Sequence, residues 1–262
     1  MEKAEIAIIG GTGVYDPGML KNSKEIAVKT KYGEPSDKIT IGEFQGKQIA
    51  FLPRHGKKHT IPPHSINFRA NIDALKQLGV THILAPQAVG GMKEETKPGD
   101  IVICDQFIDR TWGRQKTFYD HGQVCHISMA DPFCPELRNT LIEQCNALEY
   151  SHHPKGTYIC VQGPRFSTRA ESLLYRQWGC DVIGMTLVPE CILAREAQIC
   201  YASIATVTDY DCWKEGAVTL EEVIKTMKES EEKVKKLLAE VIPKISKERK
   251  CGCKSALDGS LI

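Results

Sequence analysis

The chain has 262 residues, 42% of them hydrophobic and 26% charged, a profile that fits a soluble globular protein and excludes a disordered one. Thirty-four Lys and Arg against thirty-three Asp and Glu leave a formal net charge of +1, without the basic excess that nucleic-acid binding calls for. The eleven cysteines are odd in number, and Cys104, Cys160 and Cys200 lie in apolar runs, as reduced, buried thiols of a cytosolic protein do. The first apolar stretch is too short for a signal peptide core, and no apolar run reaches the roughly eighteen residues of a membrane span, so a cytoplasmic protein away from membranes is expected.

Along the chain, short β-branched runs alternate with amphipathic stretches. Ile6–Ile9 precedes Gly10-Gly11-Thr12-Gly13; Ile49–Leu52 precedes Pro53-Arg54-His55-Gly56; His82–Ala85 precedes Pro86-Gln87-Ala88-Val89-Gly90-Gly91. Further strands are predicted at Ile101–Cys104, Thr157–Val161, Val182-Ile183 and Ser203–Val207. Helices are predicted over Asn67–Leu78, Pro135–Leu148, Thr168–Trp178 and Thr219–Ile242, the last opened by a Thr219/Glu222 capping box. Alternation of this kind specifies one α/β domain, here 1–243, followed by a polar tail over 244–262 that carries Cys251-Gly252-Cys253. Ligand groups are expected at the strand ends, where the glycine-bearing loops gather.

Four segments can carry chemistry. Gly10-Gly11-Thr12-Gly13 suits an anion loop, since glycines turn backbone N–H groups toward one point, but it matches neither a dinucleotide fingerprint nor a P-loop. Arg54-His55 offers a guanidinium fork and an imidazole to phosphate. His55 and His59 are four apart, yet Pro62-Pro63 argue against a helix and no His-Glu-x-x-His occurs, so no metal is expected. Thr208-Asp209-Tyr210-Asp211 ends a strand, and carboxylates at i and i+2 face the same way. Two carboxylates sharing a closed pocket raise each other's pKa, which suits a proton donor. Phe166, in Gly163-Pro164-Arg165-Phe166-Ser167, can present a flat face to a base.

Together with Pro98–Val102, Asp105–Asp109, Met129–Cys134 and Gly184-Met185-Thr186, these segments resemble the methylthioadenosine phosphorylase branch of the trimeric purine nucleoside phosphorylases, from about Ile6 to about Ile242. The resemblance implies the nucleoside phosphorylase fold, a single domain with a mixed central β-sheet flanked by helices, assembled as a homotrimer or a dimer of trimers. It implies phosphate held by Thr12, Arg54, His55 and Thr186, with the Gln87-Ala88 position alongside. Phe166 and Ala88 would lie against the base, Ser167, Asp209 and Asp211 at its polar edge, Met185 at the ribose, Leu220 and Val223 at a methylthio group. His126 would reach the 5' end from a neighbouring subunit. Gln87 stands where relatives usually carry threonine or serine, and Gly91 where serine is common.

The implied reaction is phosphorolysis of 5'-methylthioadenosine, with a protonated Asp209 donating to purine N7, Asp211 accepting from the 6-amino group, inorganic phosphate as co-substrate and no cofactor. A 6-oxopurine or methylthioinosine phosphorylase is the alternative within the family, and a non-catalytic nucleoside-binding module the alternative outside it. For Cys251 and Cys253, expected to be accessible in the tail, three readings stand: free thiols, a strained disulfide across one residue, and metal binding, for which two cysteines supply too few ligands. Thermophilic relatives with the same motif favour a part in redox state or stability over one in catalysis.

Overall fold

The computed structural model describes residues 2–11, 19–214 and 218–262, apart from the Glu222 side chain. Thr12, and the Glu222 half of the predicted capping box, therefore lie outside the described residues.

Strand β1 (Ile6–Gly10) is buried throughout and pairs in parallel with β4 (Lys47–Pro53) and β5 (His82–Gly91). Its side chains alternate between two cores: Ala7 and Ile9 enter one, Ile6 and Ile8 the other. That is why the run is apolar without interruption. Beyond β4 the sheet continues antiparallel through β3 (Ile39–Phe44) to the edge strand β2 (Lys21–Ile26). Sequence reading missed β2 because Lys-Asn-Ser-Lys-Glu is exposed and polar, as edge strands tend to be.

On the other side of β5 lie β10 (Val182–Gly184), β9 (Thr157–Val161) and β7 (Gln106–Arg110). Strand β11 (Cys200–Tyr210) runs parallel to β5 along its whole length and pairs with β6 (Ile101–Val102), which in turn holds β8 (His152–His153). The segments 86–91 and 208–210, expected as loops, are thus the ends of long strands. Strand β5 has β11 on one edge and shares the other: β1 holds His82–Leu84 and β10 holds Gly90–Gly91. Between those two pairings the sheet splays. Pro86 fits this open stretch because its missing N–H breaks no ladder bond there: its carbonyl, on the same edge, accepts from Arg54 instead.

Helices α1 (Phe68–Gln77) and α4 (Leu187–Glu196) cover one face of the sheet, and α2 (Pro135–Ala147) and α5 (Leu220–Val241) the other. Helix α3 (Arg169–Gln177) packs Tyr175 on a smaller cluster with Ile159 and Ile183. Asn67 caps α1 by accepting from the Ala70 amide, and Thr168 with Glu171 forms a capping box on α3. Helix α4 gave no periodic signal because it is buried nearly all round, and Val188 inside it is extended. No described helix is long and apolar enough to cross a membrane.

The tail does not hang free. After a 3-10 turn at Ile242–Lys244, Ile245, Cys251 and Cys253 are buried in the core shared by α2 and α5, correcting the expectation of accessible thiols. Ser260 accepts from the His126 amide, and Leu261 bridges Cys125.

Candidate active site

The splay between β1 and β10 opens into a cavity of about 1040 Å³. Its floor is the β5 stretch Pro86–Gly90 with Gly11, Arg54 and His55 beside it; one wall carries Asp209 and Asp211, another Phe166 and Ser167, a third Met185 and Thr186, and the rim is the start of α5. Of the predicted site residues, the described ones all line this cavity except His126, which is exposed elsewhere on the chain. Thr12 lies outside the described residues.

Arg54 is 1% exposed, and its role differs from that of a free fork. Its Nε donates to Glu190 Oε2 at 2.7 Å and its Nη2 to Glu190 Oε1 and Ile9 O at 2.9 Å each; Nη1 donates to Pro86 O at 3.2 Å. Those bonds occupy four of the five donors a guanidinium has, so among the described residues one Nη1 proton remains for a ligand. Burial works against the charge, and the Glu190 carboxylate overrides it and keeps the guanidinium protonated. Glu190 had no motif to announce it. Its one signal is a lone carboxylate inside the apolar run Leu187–Ala194, a residue type that is buried only when paired. The extended Val188 makes Glu190 a first-turn residue of the regular helix, where the dipole also favours a negative charge.

Gln87 lines the cavity and belongs to the same network. Tyr201 Oη donates to Glu190 Oε1 at 2.8 Å, Gln87 Nε2 donates to Tyr201 Oη at 3.4 Å, and Ser203 Oγ donates to Gln87 Oε1 at 3.2 Å. Its amide is thereby engaged with Tyr201 and Ser203 behind Arg54. Ala88, the next residue on the strand, is the one exposed to the cavity, as period-two alternation requires.

His55 Nδ1 lies 2.8 Å from the Ile61 carbonyl. A carbonyl only accepts, so Nδ1 carries the proton and Nε2 of the neutral ring is an acceptor. Burial pushes the imidazole pKa down to about 4, and the Arg54 charge adds to this. The ring stacks on His59 with centroids 4.4 Å apart. At neutral pH the Nε2 of His55 can thus accept a hydrogen bond but not donate one. Thr186 precedes α4 with its hydroxyl making no cap bond. Two residues earlier, a Cβ on Gly184 would fall 1.9 Å from Tyr158 Oη, which keeps that position glycine.

The carboxylates stand over Gly90. A Cβ there would lie 3.0 Å from Ile183 Cγ2 and 3.1 Å from Asp209 Oδ1, so a side chain at this position would push both back. A bulge between Val207 and Asp209 in the β11–β5 register turns both toward the cavity. Thr208 donates to Asp209 Oδ2 at 2.7 Å. Asp211 is 4% exposed, and burial raises its pKa. At Gly91 a serine Cβ would meet Thr96 O at 2.4 Å, which explains the glycine there.

On α5, Leu220, Val223, Ile224 and Met227 recur at i, i+3, i+4 and i+7 and put one apolar face on the cavity. Ile224 and Met227 join the two residues anticipated. Leu220 is 64% exposed and so forms the outer lip.

Comparison with known proteins agrees with this geometry. A family model described as the phosphorylase superfamily matches residues 5–243. The S-methyl-5'-thioadenosine phosphorylases of Nitrosopumilus maritimus and Thermofilum pendens are each 59% identical, over 98% and 100% of both chains respectively. A methylthioadenosine phosphorylase crystal structure from an antarctic soil metagenomic library superposes with a TM-score of 0.94 at 45% identity, covering 100% of this chain and 93% of that one. The Schistosoma mansoni enzyme in complex with adenine superposes with a TM-score of 0.93 at 40% identity, covering 98% and 99%. The chain belongs to the phosphorylase superfamily, within the branch formed by these S-methyl-5'-thioadenosine phosphorylases.

Proposed function

We propose that this chain cleaves 5'-methylthioadenosine with inorganic phosphate, giving adenine and 5-methylthioribose 1-phosphate. The observation that carries the reading is one cavity with three chemically distinct faces: the Arg54 guanidinium at the floor with the Thr186 hydroxyl on a wall beside it, paired carboxylates at Asp209 and Asp211, and an apolar lip on α5. Phosphate on the floor attacks C1' as the bond to the purine breaks, with Met185 beside the ribose and Phe166 and Ala88 against the base. Asp209, carrying a proton, gives it to N7 of the leaving purine; Asp211 accepts from the 6-amino group, which selects adenine over a 6-oxopurine. The neutral His55 takes a hydrogen bond from the phosphate hydroxyl or a ribose hydroxyl. No cofactor enters this scheme.

The cavity residues come from one chain, but the apolar side chains Leu173, Leu174 and Trp178 on α3 stay exposed, as does Trp112. A trimer, or a dimer of trimers, would cover such surface and bring His126 of a neighbour to the 5' end. The setting we infer is the cytoplasm. The test is adenine release with and without phosphate. Release that needs phosphate, and is faster for methylthioadenosine than for methylthioinosine, supports the reading; release in its absence, or none with it, refutes it.

A further inference from the structure

Arg114 is 9% exposed and does not line the cavity, yet its guanidinium reaches two of the cavity walls from behind. Nη1 donates to Met185 O at 2.9 Å and to Val188 O at 2.6 Å, and Nη2 donates to Gln162 O at 2.8 Å. Met185 and Thr186 form one wall; the chain that leaves Gln162 forms the other, with Pro164, Phe166 and Ser167. We propose that Arg114 is a positioning residue, a brace that sets the separation of the Met185 wall from the Phe166 wall. The proposal deepens the phosphorolysis reading and rests on it.

The carbonyls it takes are ones the fold turns away from regular structure. Val188 is extended inside α4, with φ −106° and ψ 129°, which swings its carbonyl off the helix and toward the guanidinium. The Val188 amide donates to Cys160 Sγ at 3.4 Å, so the turn 185–188 is held from two sides. The two walls also meet at their tips: a Cβ on Gly163, at φ +62°, would lie 2.5 Å from Met185 Sδ. A shift of either wall is therefore felt by the other. A compact turn presents the arginine. Asp109 Oδ1 accepts from the Thr111 amide at 2.8 Å and from its hydroxyl at 2.7 Å, Asp109 also pairs with Lys116, and Gly113 bends the chain at φ +68°. The guanidinium then lies 5.6 Å from the centre of the Phe68 ring. Burial opposes its charge. Packing alone does not call for a desolvated cation, whereas a planar fork with donors at fixed angles holds main-chain carbonyls of two segments at once.

The experiment compares the full-length parent with Arg114→Ala, Arg114→Lys and Leu141→Ala, the last a buried core change on α2 away from the cavity. Hydrogen exchange on the unliganded chains reads the brace without needing the reaction. Arg114→Ala should speed exchange in peptides covering 162–167 and 185–188 and leave β1 at the parent rate. At a temperature well below its Tm, Arg114→Ala should also lose about 10²-fold in kcat/KM for methylthioadenosine, the usual cost of a misplacement near 1 Å. Arg114→Lys keeps the charge without the fork and should recover only part of that loss. Leu141→Ala should lower Tm while keeping kcat/KM and the exchange of both wall segments. Should Arg114→Ala not fold, Arg114→Lys carries the same comparison. Parent-like exchange of the walls, full activity in Arg114→Lys, or an equal kinetic loss in Leu141→Ala overturns the brace. A parent that releases no adenine with phosphate refutes the reaction instead, and exchange still decides whether Arg114 holds the walls.

Discussion

Glu190→Gln separates two effects that usually move together. The parent pair is fully buried, with side-chain exposures of 2% for Arg54 and 0% for Glu190. In the variant, Tyr201 still donates to the retained oxygen, which leaves the new amide N–H₂ facing the Arg54 Nε–H, donor against donor. Removing one charge of a buried pair costs about 3–5 kcal/mol, so for a chain of this size Tm should fall by roughly 10 °C or slightly more. Phosphate should behave in the opposite way. Arg54, no longer neutralised from behind, attracts the dianion more strongly, so the apparent KM for phosphate falls and added phosphate raises Tm more steeply than in the parent. Differential scanning fluorimetry across a phosphate series, with steady-state kinetics on the same samples, reads both. An unchanged Tm, or a lowered Tm whose phosphate dependence matches the parent, refutes the idea that Glu190 sets the charge of the anion site.

Asp209→Asn should leave Tm in place and reduce turnover by about 10²–10⁴, measured as adenine release; a parent-like rate removes the proton-donor role. Leu220→Ser combined with Val223→Ser should erode the preference for methylthioadenosine over adenosine by about tenfold in kcat/KM, and an unaltered ratio would move the methylthio group elsewhere. Acid stability should report on His55 and His82, both buried and both held at about 4 against 6.5 for a free imidazole. Such groups are neutral in folded and unfolded chains above about pH 6.5, where their contribution is full; it is lost as pH falls from there toward 4, because the unfolded chain protonates first. Each contributes on the order of 3 kcal/mol over that window. His82→Gln should flatten the pH dependence of urea unfolding there, and a parent-like slope would show that burial of His82 is not its source.

Periodicity located four helices to within a residue or two of their ends, since Asn67 and Thr168 announce their caps and each stripe faces one core. It failed on α4, where burial on all sides erases the stripe, and on β2, where an exposed edge erases the alternation. The cavity residues were legible because they ride on loops and strand ends whose residue types are unusual there. Glu190 was not, since a pairing across 136 residues is a property of the fold. The grouping of Cys134 and Cys200 with Cys251 and Cys253 was hidden for the same reason: the first two look like ordinary apolar-run thiols until the tail is laid beside them.

The splayed sheet has a consequence for how such a pocket can diversify. The proposed anion contacts stand at β5 and the end of β4, the proposed base contacts on the bulged end of β11, and the lip on a helix of the opposite layer. A substitution at Leu220 or Ile224 alters what the lip tolerates without shifting a ladder bond, whereas one at Gly90 or Gly184 would displace the Asp209 or Tyr158 side chain packed against it. Range of substrate and power of catalysis therefore rest on separate elements. New 5' substituents can be accommodated by drift along one helical face while the reacting centre stays as it is.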